Sequence, residues 1–80
     1  MKYQAEIVCQ HGDGQHHYTF NICGNSCIGL KRNATKYANA IGKTHTTPIH
    51  ITIKRVYPSG NTIPVAFKRI GGKWFSPYGI

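Results

Sequence analysis

Hydrophobic and polar residues alternate in the first part of the chain. Tyr3, Ala5 and Ile7 are separated by polar residues, and the same alternation recurs over residues 16–22. A period of two is typical of a strand with one buried face. The residues between, 10–15, contain two glycines and an Asp-Gly pair, which favour a hairpin loop. The pattern predicts two antiparallel strands, over 2–9 and 16–22.

A helical spacing replaces this alternation after Gly24. Asn25 or Ser26 can cap a helix, and Gly42 is a suitable end for one. One stripe of the helix would be apolar, formed by Cys27, Leu30, Ala34, Tyr37, Ala38 and Ile41. We therefore expect a helix over 26–42.

The period of two returns at Pro48. Its first apolar face is formed by Ile49, Ile51 and Ile53. A turn at 58–61 is followed by a further alternating segment, which predicts another strand. Its side chains facing the core would be Ile63, Val65 and Phe67, and those facing away from it Pro64, Ala66 and Lys68. Pro64 cannot donate to a sheet hydrogen bond, so we expect an edge or an irregularity there. Gly71-Gly72 then favours a turn into residues 73–75.

These elements define an α+β fold. One helix must cover the apolar faces of all the strands, which favours a four- or five-stranded antiparallel sheet with the helix packed on one face. The expected order is ββαββ(β). Eighty residues form a single domain, 1–80.

Charge is the strongest functional signal. Ten Lys and Arg against two acidic residues give a net charge of +8, and both acids, Glu6 and Asp13, lie near the start of the chain. Such an excess indicates a polyanionic partner. No signal peptide and no run of ~20 apolar residues is visible, so we expect a cytoplasmic protein without a membrane partner. Three cysteines, an odd number, also favour a reducing compartment.

The helix carries the first candidate binding surface. Arg32, Lys36, Asn39 and Lys43 are spaced to form one outward line without an acid among them. An ordinary solvated face is the alternative, although such faces usually mix both signs. The remaining candidate binding residues are Lys31, Lys54, Arg55, Lys68, Arg69 and Lys73.

Two other surfaces compete with the helix. The sheet face away from it would present polar and basic side chains: Lys2, Gln4, His17, Thr19, His50, Thr52, Lys54 and Lys68. The clear aromatics Tyr18, Phe20 and Phe67 have the inward phase. Only Phe75, Trp74 and Tyr78 remain as plausible outward rings, which disfavours a base-stacking platform there. The tail over 67–78 interleaves basic and aromatic residues, as in proteins that bind single strands. We expect instead that Trp74 and Phe75 close the small core, which depends on its few large side chains.

A metal site is suggested by composition and opposed by geometry. Cysteines and histidines crowd into residues 9–27, namely Cys9, His11, His16, His17, Cys23 and Cys27. In the predicted hairpin, Cys9 and Cys23 lie at opposite ends, roughly 20 Å apart, too far to share one ion. We expect no metal and no cofactor, with Cys23 and Cys27 as small core residues.

Catalysis has little support. Two carboxylates offer no evident pair for acid–base work. The segment Gly14-Gln15-His16-His17-Tyr18 resembles the Gly-Ser-His-His segment of HicA-type mRNA interferase toxins. Residues 62–65 are similar to the strand that follows this segment in that family. That resemblance implies RNA cleavage through His16 or His17, but it is short, Gln15 replaces the serine, and the family's opening helix is missing.

The sequence thus predicts a small, non-enzymatic basic protein that binds a polyanion, most simply nucleic acid. The alternative is an inhibitor of the phage or mobile-element type, anti-CRISPR proteins included, which docks on an acidic surface of a host nuclease or nucleoprotein complex. That alternative rests on an analogy in chain length, charge and fold class with such inhibitors, and on no sequence match. Both hypotheses use the same residues and differ in the partner.

Overall fold

The computed structural model describes residues 2–11, 16–41 and 46–76. Within them the chain forms four strands and one helix in the order ββαββ, which confirms the predicted α+β fold. The elements are β1 (Lys2–His11), β2 (His16–Gly24), α1 (Cys27–Ile41), β3 (Thr46–Val56) and β4 (Thr62–Arg69). The sheet order is β2-β1-β3-β4, and every neighbouring pair is antiparallel.

Ser26 caps the helix. Its hydroxyl accepts a hydrogen bond from the Gly29 amide at 3.2 Å, and its carbonyl accepts one from the Leu30 amide at 2.9 Å. A serine in this position satisfies amides that the first turn would otherwise leave without partners. The predicted helix is therefore correct, and of the two candidate caps the chain uses Ser26.

The core lies between α1 and one face of the sheet. Its buried residues are Tyr3, Ala5, Ile7, Cys9, Cys27, Leu30, Ala34, Ala38, Ile51, Ile53, Val65 and Ala66. Four of these are alanines, so the bulk comes from a few larger side chains. Ile7, Ile51 and Ile53 are fully buried, and they lie on the two central strands β1 and β3.

β4 departs from regular alternation at Val65. Ile53 pairs with Ala66, whereas the next residue, Lys54, pairs with Pro64. Val65 is thus the extra residue of a β-bulge, and both Val65 and Ala66 are buried. The irregularity expected from Pro64 is confirmed one position further along.

The bulge reverses the faces of the second half of β4. Lys68 pairs with Ile51 and Phe67 pairs with Thr52. Paired residues share a face, so Lys68 points to the side covered by the helix and Phe67 to the opposite side. The prediction that Phe67 points inward while Ala66 and Lys68 point outward was wrong, because strict alternation does not survive an inserted residue.

A short segment after β4 extends the sheet by one isolated bridge. Phe67 and Phe75 exchange two backbone hydrogen bonds, at 2.8 and 2.7 Å. The helix packs on β1, β2 and β3 but not on β4, and Trp74 packs against the core beside it. The expectation of a core-closing residue is confirmed for Trp74 and wrong for Phe75, which is 64% exposed.

Some predictions lie outside the described residues. They concern the hairpin loop at 12–15, Gly42, Lys43 and the tail beyond Ser76. In the part of the chain that is described, no helix is both long and apolar enough to cross a membrane.

Candidate nucleic-acid interface

The sheet divides the candidate residues between two surfaces. We call the face on which α1 packs the helix side and the opposite face the open face. Through their strand partners, Arg55 and Lys68 belong to the helix side, whereas Lys2, Lys54 and Arg69 belong to the open face. The expected position of Lys2 and Lys54 on the sheet face away from the helix is therefore confirmed, whereas that of Lys68 was wrong, because the bulge in β4 turns it to the helix side.

The outer surface of the helix carries a basic row, which we define as Arg32, Lys36 and Asn39. All three side chains are exposed. No Asp or Glu occurs in α1, so nothing within the helix offsets the two positive charges. Arginine and asparagine can also donate hydrogen bonds to phosphates or base edges.

A second cationic group lies on the helix side where α1 meets the C-terminal segment. The Lys31 ammonium is 5.6 Å from the centroid of the Trp74 ring, and the Lys68 ammonium is 6.0 Å from it. Lys31 also donates a hydrogen bond to the Ser76 hydroxyl at 3.0 Å. Lys31 is half-buried, and its contacts tie the tail to the helix.

One of the predicted strand cations is already neutralised. Lys54 forms an ion pair with Glu6 across β1 and β3. Glu6 is the only carboxylate in the described part of the chain, so no second side-chain carboxylate exists there for the other lysines and arginines. The positive charge on the helix side is consequently not balanced by described acidic residues.

Arg55 lies apart from these groups, at the end of the sheet where β1 begins. Its guanidinium carbon is 4.9 Å from the centroid of the Tyr57 ring. Arg55, Tyr57 and Lys2 help to line a cavity of about 600 Å³ there. This cavity adds cationic surface, and none of its lining residues belongs to the basic row.

The open face carries a ring group formed by His50, Phe67 and Phe75, of which alternation misplaced Phe67. The His50 and Phe67 centroids are 5.4 Å apart, and the backbone bridge places Phe75 beside Phe67. Tyr18 and Phe20 do have the predicted helix-side phase, since they pair with Cys9 and Ile7. The signal that could have located Phe67 is Pro64, which marks the irregular stretch.

The cysteines do not converge. Cys9 pairs with Tyr18 and Cys23 with Gln4, so the two thiols occupy different faces and different ends of the hairpin. Burial raises the pKa of the Cys9 thiol, which disfavours the thiolate that a metal needs. Cys27 is a core residue as expected, but Cys23 is exposed on the open face, so its predicted core position was wrong. Among the described residues, no three potential ligands form a group.

Of the two histidines in the toxin-like segment, the structure describes the side chain of His17 alone. His17 is exposed on the open face, where it pairs with Gln10. The His16 side chain lies outside the described residues.

Comparisons with known proteins provide no functional assignment for this chain. No protein-family model, no curated protein and no solved structure matches this sequence or its fold.

Proposed function

We propose that this protein binds nucleic acid without transforming it, through the helix side. The observation that carries the proposal is the basic row on α1, flanked by Lys31 and Lys68, on a surface that no described carboxylate offsets. Phosphate groups are the natural partners of such a row.

The positions of the cations support contact with a phosphate backbone. Arg32 and Lys36 are exposed and one helical turn apart, so both can reach a single strand of phosphates. Lys31 lies next to Arg32 in the sequence, and its ammonium shares Trp74 with Lys68. Asn39 adds a neutral donor and acceptor at the end of the row.

The test is the salt dependence of binding to a fluorescent duplex, measured by anisotropy. With one phosphate contacted by each of two to four cations, log K should fall with log salt at a slope between about −1.8 and −3.6. Arg32→Ala should make the slope shallower by about one unit, whereas Lys2→Ala on the open face should leave it unchanged.

A flat salt dependence, or no binding at low salt, contradicts the proposal. Retention on an acidic protein surface in place of nucleic acid would then favour the inhibitor hypothesis, which uses the same cations. A slope that responds to Lys2→Ala but not to Arg32→Ala would mean that the wrong surface was chosen.

We also infer a cytoplasmic location. All three cysteines are free thiols, and an exposed thiol such as Cys23 persists most readily in a reducing compartment.

A further inference from the structure

The edge of the sheet at β4 exposes aromatic surface on the open face. Phe67 is 36% and Phe75 64% exposed, and they are neighbours because their backbones exchange two hydrogen bonds. The imidazole of His50 lies against Phe67 with the ring planes 36° apart. The ring group therefore presents adjoining flat surfaces to the solvent.

A shallow pocket of about 310 Å³ adjoins these rings. It is lined by Thr52, Pro64, Val65, Ala66, Phe67 and Phe75. Thr52 is its only residue with a polar side chain, and a hydroxyl can either donate or accept a hydrogen bond. A flat, largely apolar ligand with polar edges fits such a lining better than an aliphatic one does.

The charges around the ring group select the kind of occupant. Arg69 pairs with His50 on the open face, and the exposed Lys73 precedes Phe75 by two positions. A second copy of this chain would bring the same cations against them and be repelled. An anionic partner with exposed aromatic rings is instead complementary to both the charge and the rings.

We infer that the ring group stacks unpaired bases, so that the nucleic acid bound by this protein is single-stranded in the segment that crosses the open face. This inference rests on the proposed function and adds the substrate class. Bases in a duplex are stacked on one another and cannot lie on these rings, whereas phosphates remain available in either form. The two surfaces meet at the β4 edge, because Phe67 and Lys68 are consecutive and point to opposite sides.

The test compares a single strand of thymidines with a strand of equal length in which the bases are replaced by abasic sites. Both carry the same phosphates, so a difference in affinity measures base contacts. We expect the strand with bases to bind more tightly by about 5- to 150-fold for each stacked base. Phe75→Ala should remove most of this difference and leave duplex binding unchanged, and Phe75→Tyr should retain it.

Ile70→Ala is the matched control, since Ile70 is another exposed apolar residue near this edge but has no aromatic ring. Equal affinity for the two strands, or equal losses on single strand and duplex in Phe75→Ala, would overturn the inference while the salt-dependent binding still stands. Failure to bind any nucleic acid would overturn the proposed function together with it. Circular dichroism identifies a variant that has unfolded, and Phe67→Leu then provides a second test of the ring group.

Discussion

Reversing the charge of the basic row separates binding from folding. The variant is Arg32→Glu with Lys36→Glu, which lowers the formal net charge by four units from +8. Both side chains are exposed, and neither forms an ion pair within the described residues. The cost to the free energy of unfolding should therefore stay within about ±0.5 kcal/mol for each substitution.

The expected effect on binding is much larger. Each charge-assisted contact with a phosphate contributes about 1.5–3 kcal/mol, so losing two of them costs about 3–6 kcal/mol. That cost corresponds to a decrease in affinity of roughly 10²- to 10⁴-fold. Repulsion between the new carboxylates and the phosphates increases the loss further.

The assay is anisotropy of a labelled duplex at one fixed salt concentration, with thermal unfolding followed by circular dichroism. Lys2→Glu is the control, because it removes two units of charge from the open face at the end of β3 away from the ring group, where Lys2 pairs with Val56. A similar loss of affinity per unit of charge in Lys2→Glu would mean that net charge alone drives binding. Unfolding of the helix variant would show that these positions do not face solvent as described.

Two further substitutions test the core and the ion pair. Ile51→Ala should cost about 2–5 kcal/mol of unfolding free energy because Ile51 is fully buried, whereas the same change at Ile28, which is 69% exposed, should cost less than about 0.5 kcal/mol. Chemical denaturation measures both, and equal costs would place Ile51 outside the core. Glu6→Gln should leave duplex binding through the helix side nearly unchanged because Glu6 and Lys54 lie on the open face, while the half-exposed pair contributes only about 0–1 kcal/mol to folding. A large change in duplex affinity in Glu6→Gln would show that the open face contacts the duplex.

The fold was predictable because its signals are local. Alternation over β1 and β2 and the helical spacing that starts at Cys27 each depend on residues close in sequence, and the structure retains all three elements. Ser26 illustrates the limit of such reasoning, since either Asn25 or Ser26 satisfied the sequence rule and only the backbone geometry selects one.

The candidate site was less predictable because it depends on which face each residue occupies. A single extra residue at Val65 moved Phe67 to the open face and Lys68 to the helix side, and composition carries no signal for that exchange. The neutralisation of Lys54 by Glu6 was also hidden, because it requires the register between β1 and β3. By contrast, Arg32 and Lys36 were placed correctly, since a regular helix keeps its phase without any tertiary information.

The central position of β1 has a consequence for how the chain acquires its structure. β1 forms a hairpin with β2 early in the sequence, but its other edge is filled by β3, which follows only after the helix. Until β3 is added, Ile7 lacks Ile51 as its partner, and the central edge of β1 is open to pairing with another chain. Closing this long-range pair should therefore limit the folding rate, and a fragment ending after α1 should aggregate rather than fold.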